Sequence, residues 1–157
     1  MMKITAEEII TDIGEEPLCV SPETVVYDAV KAMLERDIHA VLVQKDGKYV
    51  GIWTERDLMK NTVLEGFDPK TTRVGDHASF PLKSAPHTDT IFQLIDKLLG
   101  YQTRHLLIEK EGKYIGLLYS RDVIRVGFTE RTKQLRELDE MVSLEFYENW
   151  KWKKKHK

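Results

Sequence analysis

Thr54 and Asp57 set a hydroxyl and a carboxylate three residues apart in the stretch GIWTERD (residues 51–57), where a strand should turn into a helix. That spacing has two uses. The pair can close a capping box, in which hydroxyl and carboxylate satisfy backbone N–H groups of the first turn, worth ~1 kcal/mol. Or it can be turned outward to hold a ligand, with the positive end of the helix beside it for an anion. A second stretch, GLLYSRD (residues 116–122), repeats the first but has Tyr119 where Thr54 stands and Ser120 one position late. There the box is gone, yet Asp122 is kept. Thr54 and Asp57 alone read as a cap; the pair of stretches together favours a ligand role for both aspartates.

These residues are positioned by a repeat. Residues 45–57 (KDGKYVGIWTERD) and 110–122 (KEGKYIGLLYSRD) are identical at seven of thirteen positions, at a constant offset of 65. Upstream, PLCVSP (residues 17–22) corresponds to PLKSAP (residues 81–86). In each unit a short apolar run bounded by prolines predicts a brief strand. Val26, Ala29, Val30 and Met33, and then Ile91, Leu94, Ile95 and Leu98, fall at helical spacing. AVLV (residues 40–43) and HLLI (residues 105–108) read as buried strands, and Asp46–Gly47 and Glu111–Gly112 as the tight turns into their partners. Helices follow over about Glu55–Leu64 and Arg121–Val126. A lead-in helix is announced by the capping box Thr5-x-x-Glu8 with Ile4 and Ile9 as its staple.

The fold class is therefore α+β, with two β-α-β-β-α units packed about a pseudo-twofold axis and a C-terminal helix added. Residues 1–66 form the first unit with its short N-terminal helix, 67–128 the second, and 129–157 the C-terminal helix and basic tail. Each unit is too small to bury much core alone, so the two should cover one another and form two equivalent clefts.

The repeated strand–turn–strand ending in Gly-apolar-apolar-x-x-x-Asp, with the helix start at Pro22–Val25, resembles a tandem pair of CBS domains, named for cystathionine beta-synthase. The likeness covers about residues 4–128. It implies clefts that bind adenosine-containing ligands (AMP, ADP, ATP or S-adenosylmethionine), a regulatory rather than catalytic role, and often a homodimer. It also implies that Thr54, Asp57, Asp122 and Ser120 face a ribose, whose cis-diol can give both hydroxyls to one carboxylate. The basic residues ahead of the second strand of each unit, His39, Arg104 and His105, are implied to reach phosphate; a solvated arginine and structural histidines are the plainer reading. The first motif is the more intact, so if one cleft binds better it should be the one at Asp57. A dimerisation or interaction scaffold with degenerate sites, its contacts carried by the C-terminal helix, is the second reading.

Composition agrees with a binder. The chain has 157 residues, 24 Lys and Arg against 26 Asp and Glu, and a net charge of −2. Five lysines lie in the last seven residues, leaving the body at about −7, a poor match for nucleic acid. No His/Cys set has metal-ligand spacing, and no Gly-rich phosphate loop or Gly-x-Ser-x-Gly elbow occurs. An enzyme, a resident catalytic cofactor or a metal is not expected. The single Cys19 and the lack of an N-terminal apolar stretch point to the cytosol. Leu135, Leu138 and Val142 mark the C-terminal helix, and Phe146, Tyr147, Trp150 and Trp152 run into the lysines. That tail is the one place suited to an anionic membrane or nucleic acid; a solvated, frayed terminus is the plainer reading.

Overall fold

The computed structural model describes residues 3–141. The aromatic and lysine-rich tail, with Val142, lies outside them. The elements are α1 (Ala6–Ile13), β1 (Cys19–Val20), α2 (Val26–Arg36), β2 (Ala40–Lys45), β3 (Lys48–Thr54), α3 (Glu55–Thr62), β4 (Ser84–Pro86), α4 (Ile91–Gly100), β5 (His105–Lys110), β6 (Lys113–Tyr119) and α5 (Ser120–Met141). They form two three-stranded sheets, β1-β2-β3 and β4-β5-β6, each with a parallel first pair and an antiparallel hairpin.

The repeat is exact in register. Both hairpins turn on two residues with positive φ, Asp46–Gly47 (50° and 73°) and Glu111–Gly112 (51° and 75°). Such turns match the right-handed twist of the strands they join. Both hairpins shift register at one place, between Val43 and Gln44 and between Ile108 and Glu109, which are 65 positions apart.

Among the described residues three apolar clusters form the core. One lies in the first unit, around Trp53, Val26, Met33 and Val41; a second in the second unit, around Ile91, Leu94, Leu106 and Leu118. The third joins the sheets through Leu42, Leu107 and Leu117. Tyr49 stacks on its repeat-mate Tyr114 with centroids 5.9 Å apart.

The lead-in segments cross over. By its place in the sequence α1 goes with the first unit, but its buried residues, Ala6 and Ile9, lie in the second unit's core. The Ala6 and Glu7 N–H groups donate to the carbonyls of Asp89 (2.8 Å) and His87 (3.0 Å). Lys110 bonds Glu7, holding that carboxyl below the usual carboxylate range. Reciprocally, the segment ahead of β4 serves the first unit: Val74 is buried in its core, and Ser79 bridges to Ile52. Two glycines mark these approaches. A Cβ at Gly116 would meet Ile10 at 2.9 Å, and one at Gly51 would meet Ala78 at 2.9 Å.

One boundary differs from the sequence expectation. The helix expected to end near Val126, with another from Thr129, is the single helix α5. Gly127 costs a helix about 1 kcal/mol but does not stop one without a turn residue or proline beside it. Within it the hydroxyls of Thr129 and Thr132 donate back to the carbonyls of Arg125 and Phe128, both at 2.9 Å.

Candidate functional site

At the first copy of the motif the cap is fully formed. Thr54 ends β3, and its N–H and hydroxyl both donate to Asp57 Oδ2 at 3.0 Å. The Asp57 N–H returns a bond to Thr54 Oγ1 at 3.4 Å. Lys60 Nζ reaches Asp57 Oδ1 at 3.3 Å, so both carboxylate oxygens have protein partners. Asp57 is buried, and α3 is fixed from below by Trp53 Nε1 donating to buried Asn61 at 3.1 Å. The hydroxyl and carboxylate serve the backbone here.

The second copy differs because Tyr119 supplies no short hydroxyl. Asp122 is also buried, but among the described residues its carboxylate makes no capping bond. Instead Arg125 Nη2 reaches Oδ1 at 3.2 Å, and Arg121 Nε stands 4.0 Å from the same oxygen. Asp122 lines a cleft of about 670 Å³ between the units, a size suited to a small ligand. Leu18 and Ile38 of the first unit and Leu117 and Tyr119 of the second give it apolar surface. Burial, first of all, pushes the Tyr119 hydroxyl up; Arg121 opposes the rise, and Asp122 and Glu15 add to it. The Arg121 guanidinium lies 5.2 Å from the Tyr119 ring centroid. Asp122 thus lines a cleft, at the copy of the motif that is less intact in sequence than the one at Asp57. The two carboxylates differ locally: the complete box keeps that of Asp57 for the backbone, and the incomplete one leaves that of Asp122 to arginine side chains.

The remaining predicted residues gather between the two helix starts. Glu55, first residue of α3, receives Arg104 Nη1 on Oε1 and meets His39 Nδ1 at Oε2, both at 3.1 Å. The Glu55 N–H donates to the His39 carbonyl and the Ser120 N–H to the Arg104 carbonyl, equivalent bonds of 3.1 and 2.9 Å. His39, Arg104 and Ser120 are thereby brought together, but Glu55 already pairs the two basic side chains. His105 stands apart from them in chemistry. Its ring packs edge-on against Tyr119, centroids 5.2 Å apart, and burial followed by the Arg104 charge lowers its pKa to about 4. Near neutrality it is uncharged, so it brings no cation to a phosphate.

That shift has a consequence for stability. A histidine whose folded pKa lies below its unfolded value of ~6.5 favours the folded state above that pH, and the benefit is lost as pH falls towards 4. Thermal melts at pH 7 and pH 5 should show a drop that is smaller in His105→Gln than in the parent. An equal drop would mean that His105 does not contribute.

Sequence reasoning missed Arg36, Arg125 and the acidic residues Asp12, Glu15 and Glu16, all lining the cleft. Arg125 was within reach, three residues after Asp122 on one helix face. Asp12, Glu15 and Glu16 needed the crossing of the lead-in segment to be known, and Arg36 the packing of α2 beside the second unit. Among the described residues no cluster of His, Cys, Asp and Glu is arranged to hold a metal, and no helix is long and apolar enough to cross a membrane.

Known proteins resemble this chain in sequence and fold. The CBS domain profile matches residues 6–63 and again 74–128. An uncharacterized protein of Methanocaldococcus jannaschii is 30% identical over 129 residues, covering 80% of this chain and 69% of the relative. A mitochondrial CBS domain-containing protein of Arabidopsis thaliana is 31% identical over 127 residues, covering 77% of this chain; the match spans 61% of that protein's length. A CBS-domain containing protein of Agrobacterium tumefaciens superposes with a TM-score of 0.73 at 26% identity, over 79% of this chain and 93% of the other. At the level of fold alone, a CBS domain protein of Pyrobaculum aerophilum complexed with AMP superposes with a TM-score of 0.65 at 16% identity, over 76% and 89% of the two chains.

Proposed function

Because the chain belongs to the CBS-domain family as a tandem pair of modules, we propose that it is a regulatory module whose signal is an adenosine-containing ligand held in the cleft at Asp122. The observation that carries this is the pairing of a cleft of suitable size with a buried aspartate free of capping duty. The Asp122 carboxylate takes the ribose hydroxyls, a charge-assisted contact worth about 1.5–3 kcal/mol. Leu18, Ile38, Leu117 and Tyr119 cover the base, and Arg36, Arg121 and Arg125 offer guanidiniums to phosphate. The AMP held by the Pyrobaculum aerophilum protein makes AMP the first ligand to try. Thr54, Asp57, His39 and Ser120 are support: they fix the helix starts and the centre between the units. Binding joins residues of both units, so it alters how they sit together, and a partner reads that change. No chemistry on the ligand is implied.

The test is a thermal-shift series with adenosine, AMP, ADP, ATP and S-adenosylmethionine. A ligand at a hundredfold excess over its dissociation constant stabilises the fold by ~2.7 kcal/mol. No shift with any of the five at millimolar concentration rejects the proposal.

A second reading, dimerisation, has an observation of its own. Exposed Met59 on α3 and Val63 just after it are matched by exposed Ile124 and Phe128 on α5, each pair four residues apart and all at the repeat offset. A surface with internal twofold character suits a second copy of the chain. Light scattering should give twice the chain mass, falling to one in Ile124→Asp/Phe128→Asp; a monomeric parent rejects this reading.

A further inference from the structure

The charges of the Asp122 cleft come from different elements. The end of α1 and the segment after it supply Asp12, Glu15 and Glu16, all exposed. The last turn of α2 supplies Arg36, and the start of α5 supplies Arg121 and Arg125. Arg121 and Arg125 face Asp122, at 4.0 and 3.2 Å. Among the described residues, no ion pair joins Asp12, Glu15 or Glu16 to any of these guanidiniums. With Asp122 the cleft holds four carboxylates and three guanidiniums. One phosphate meets cations there; every further phosphate adds anionic charge to a cleft already negative on balance.

We infer that the acidic segment Asp12–Glu16, carried into place by the crossed-over helix α1, is a charge filter that admits a nucleoside monophosphate to the Asp122 cleft and turns away the triphosphate. The inference rests on the nucleotide reading above. AMP brings about two negative charges and ATP about four. Repulsion between partly solvated charges within several ångströms is worth roughly tenfold in affinity. It weakens with salt, since the screening length falls from ~10 Å at 0.1 M to ~3 Å at 1 M.

Calorimetric titration of the full chain at low ionic strength and without divalent cations tests this, using adenosine, AMP and ATP. The expected order is AMP tightest, with ATP about tenfold weaker. Glu15→Gln/Glu16→Gln, at two exposed positions outside the apolar clusters, should bring ATP to within about threefold of AMP and leave adenosine within twofold of the parent. High salt should narrow the AMP to ATP ratio in the parent. ATP binding as tightly as AMP, or a ratio unmoved by the double substitution, overturns the filter while leaving the nucleotide site standing. Absence of binding by all three ligands overturns the nucleotide reading, and the filter with it.

Discussion

Replacing Asp122 with alanine should weaken AMP binding by ten- to a hundredfold and leave the melting temperature within about 2 °C of the parent. The first figure follows from losing charge-assisted bonds to two ribose hydroxyls, about 1.5–3 kcal/mol. The second follows because, among the described residues, Asp122 pairs with Arg121 and Arg125, whose exposed side chains stay solvated when the carboxylate is removed. Asp57→Ala should do the opposite. It strips a capping box and leaves the N–H of Thr54 without its acceptor, a loss of about 1–2 kcal/mol, or roughly 2–8 °C for a chain of this size. AMP affinity should stay within twofold, since both Asp57 oxygens already serve the protein. Two aspartates at equivalent places would then separate into one that binds and one that folds. Equal losses of affinity in both variants would contradict that division.

Replacing Ile9 with alanine should lower stability by about 2–5 kcal/mol, the range for truncating a fully buried aliphatic side chain. That corresponds to roughly 4–20 °C in melting temperature. The location of the damage matters more than its size. Ile9 is sequence-adjacent to the first unit, yet its neighbours in the core are Ile91, Leu94, Leu106 and Leu118. Hydrogen exchange should therefore quicken in β5, β6 and α4 before it does in β2 and β3. Faster exchange confined to β2 and β3 would show that α1 supports the first unit instead. Thr11→Ala, on the exposed side of the same helix, controls for helix propensity and should shift stability little.

How much of this was legible in the sequence depended on whether neighbouring residues decide the outcome. The hairpins were legible because Asp46–Gly47 and Glu111–Gly112 are the turn, and the strands on either side repeat almost residue for residue. The α1 helix was legible from Thr5 and Glu8, which close its box as expected. Its place was not, because apolar residues at Ala6 and Ile9 fit either unit's core and only the folded topology chooses. The unbroken α5 was missed for a related reason: Gly127 and Thr129 weaken a helix locally, and packing of Val123 and Val126 on the second core outweighs that. The site shows the same limit. Thr54-x-x-Asp57 matches the motif well because it is also a good cap, and in the structure the cap consumes the carboxylate. At the departure, where Tyr119 stands in the place of the hydroxyl, Asp122 makes no capping bond among the described residues and lines a cleft.

The proposed ligand occupies one cleft, at Asp122, and not the equivalent place at Asp57. The stoichiometry of AMP binding tests it most directly, by calorimetric titration of the full chain at a protein concentration above the dissociation constant. One AMP per chain, abolished by Asp122→Ala and kept by Asp57→Ala, is the predicted result. Two per chain, or one that survives Asp122→Ala and disappears with Asp57→Ala, would contradict it.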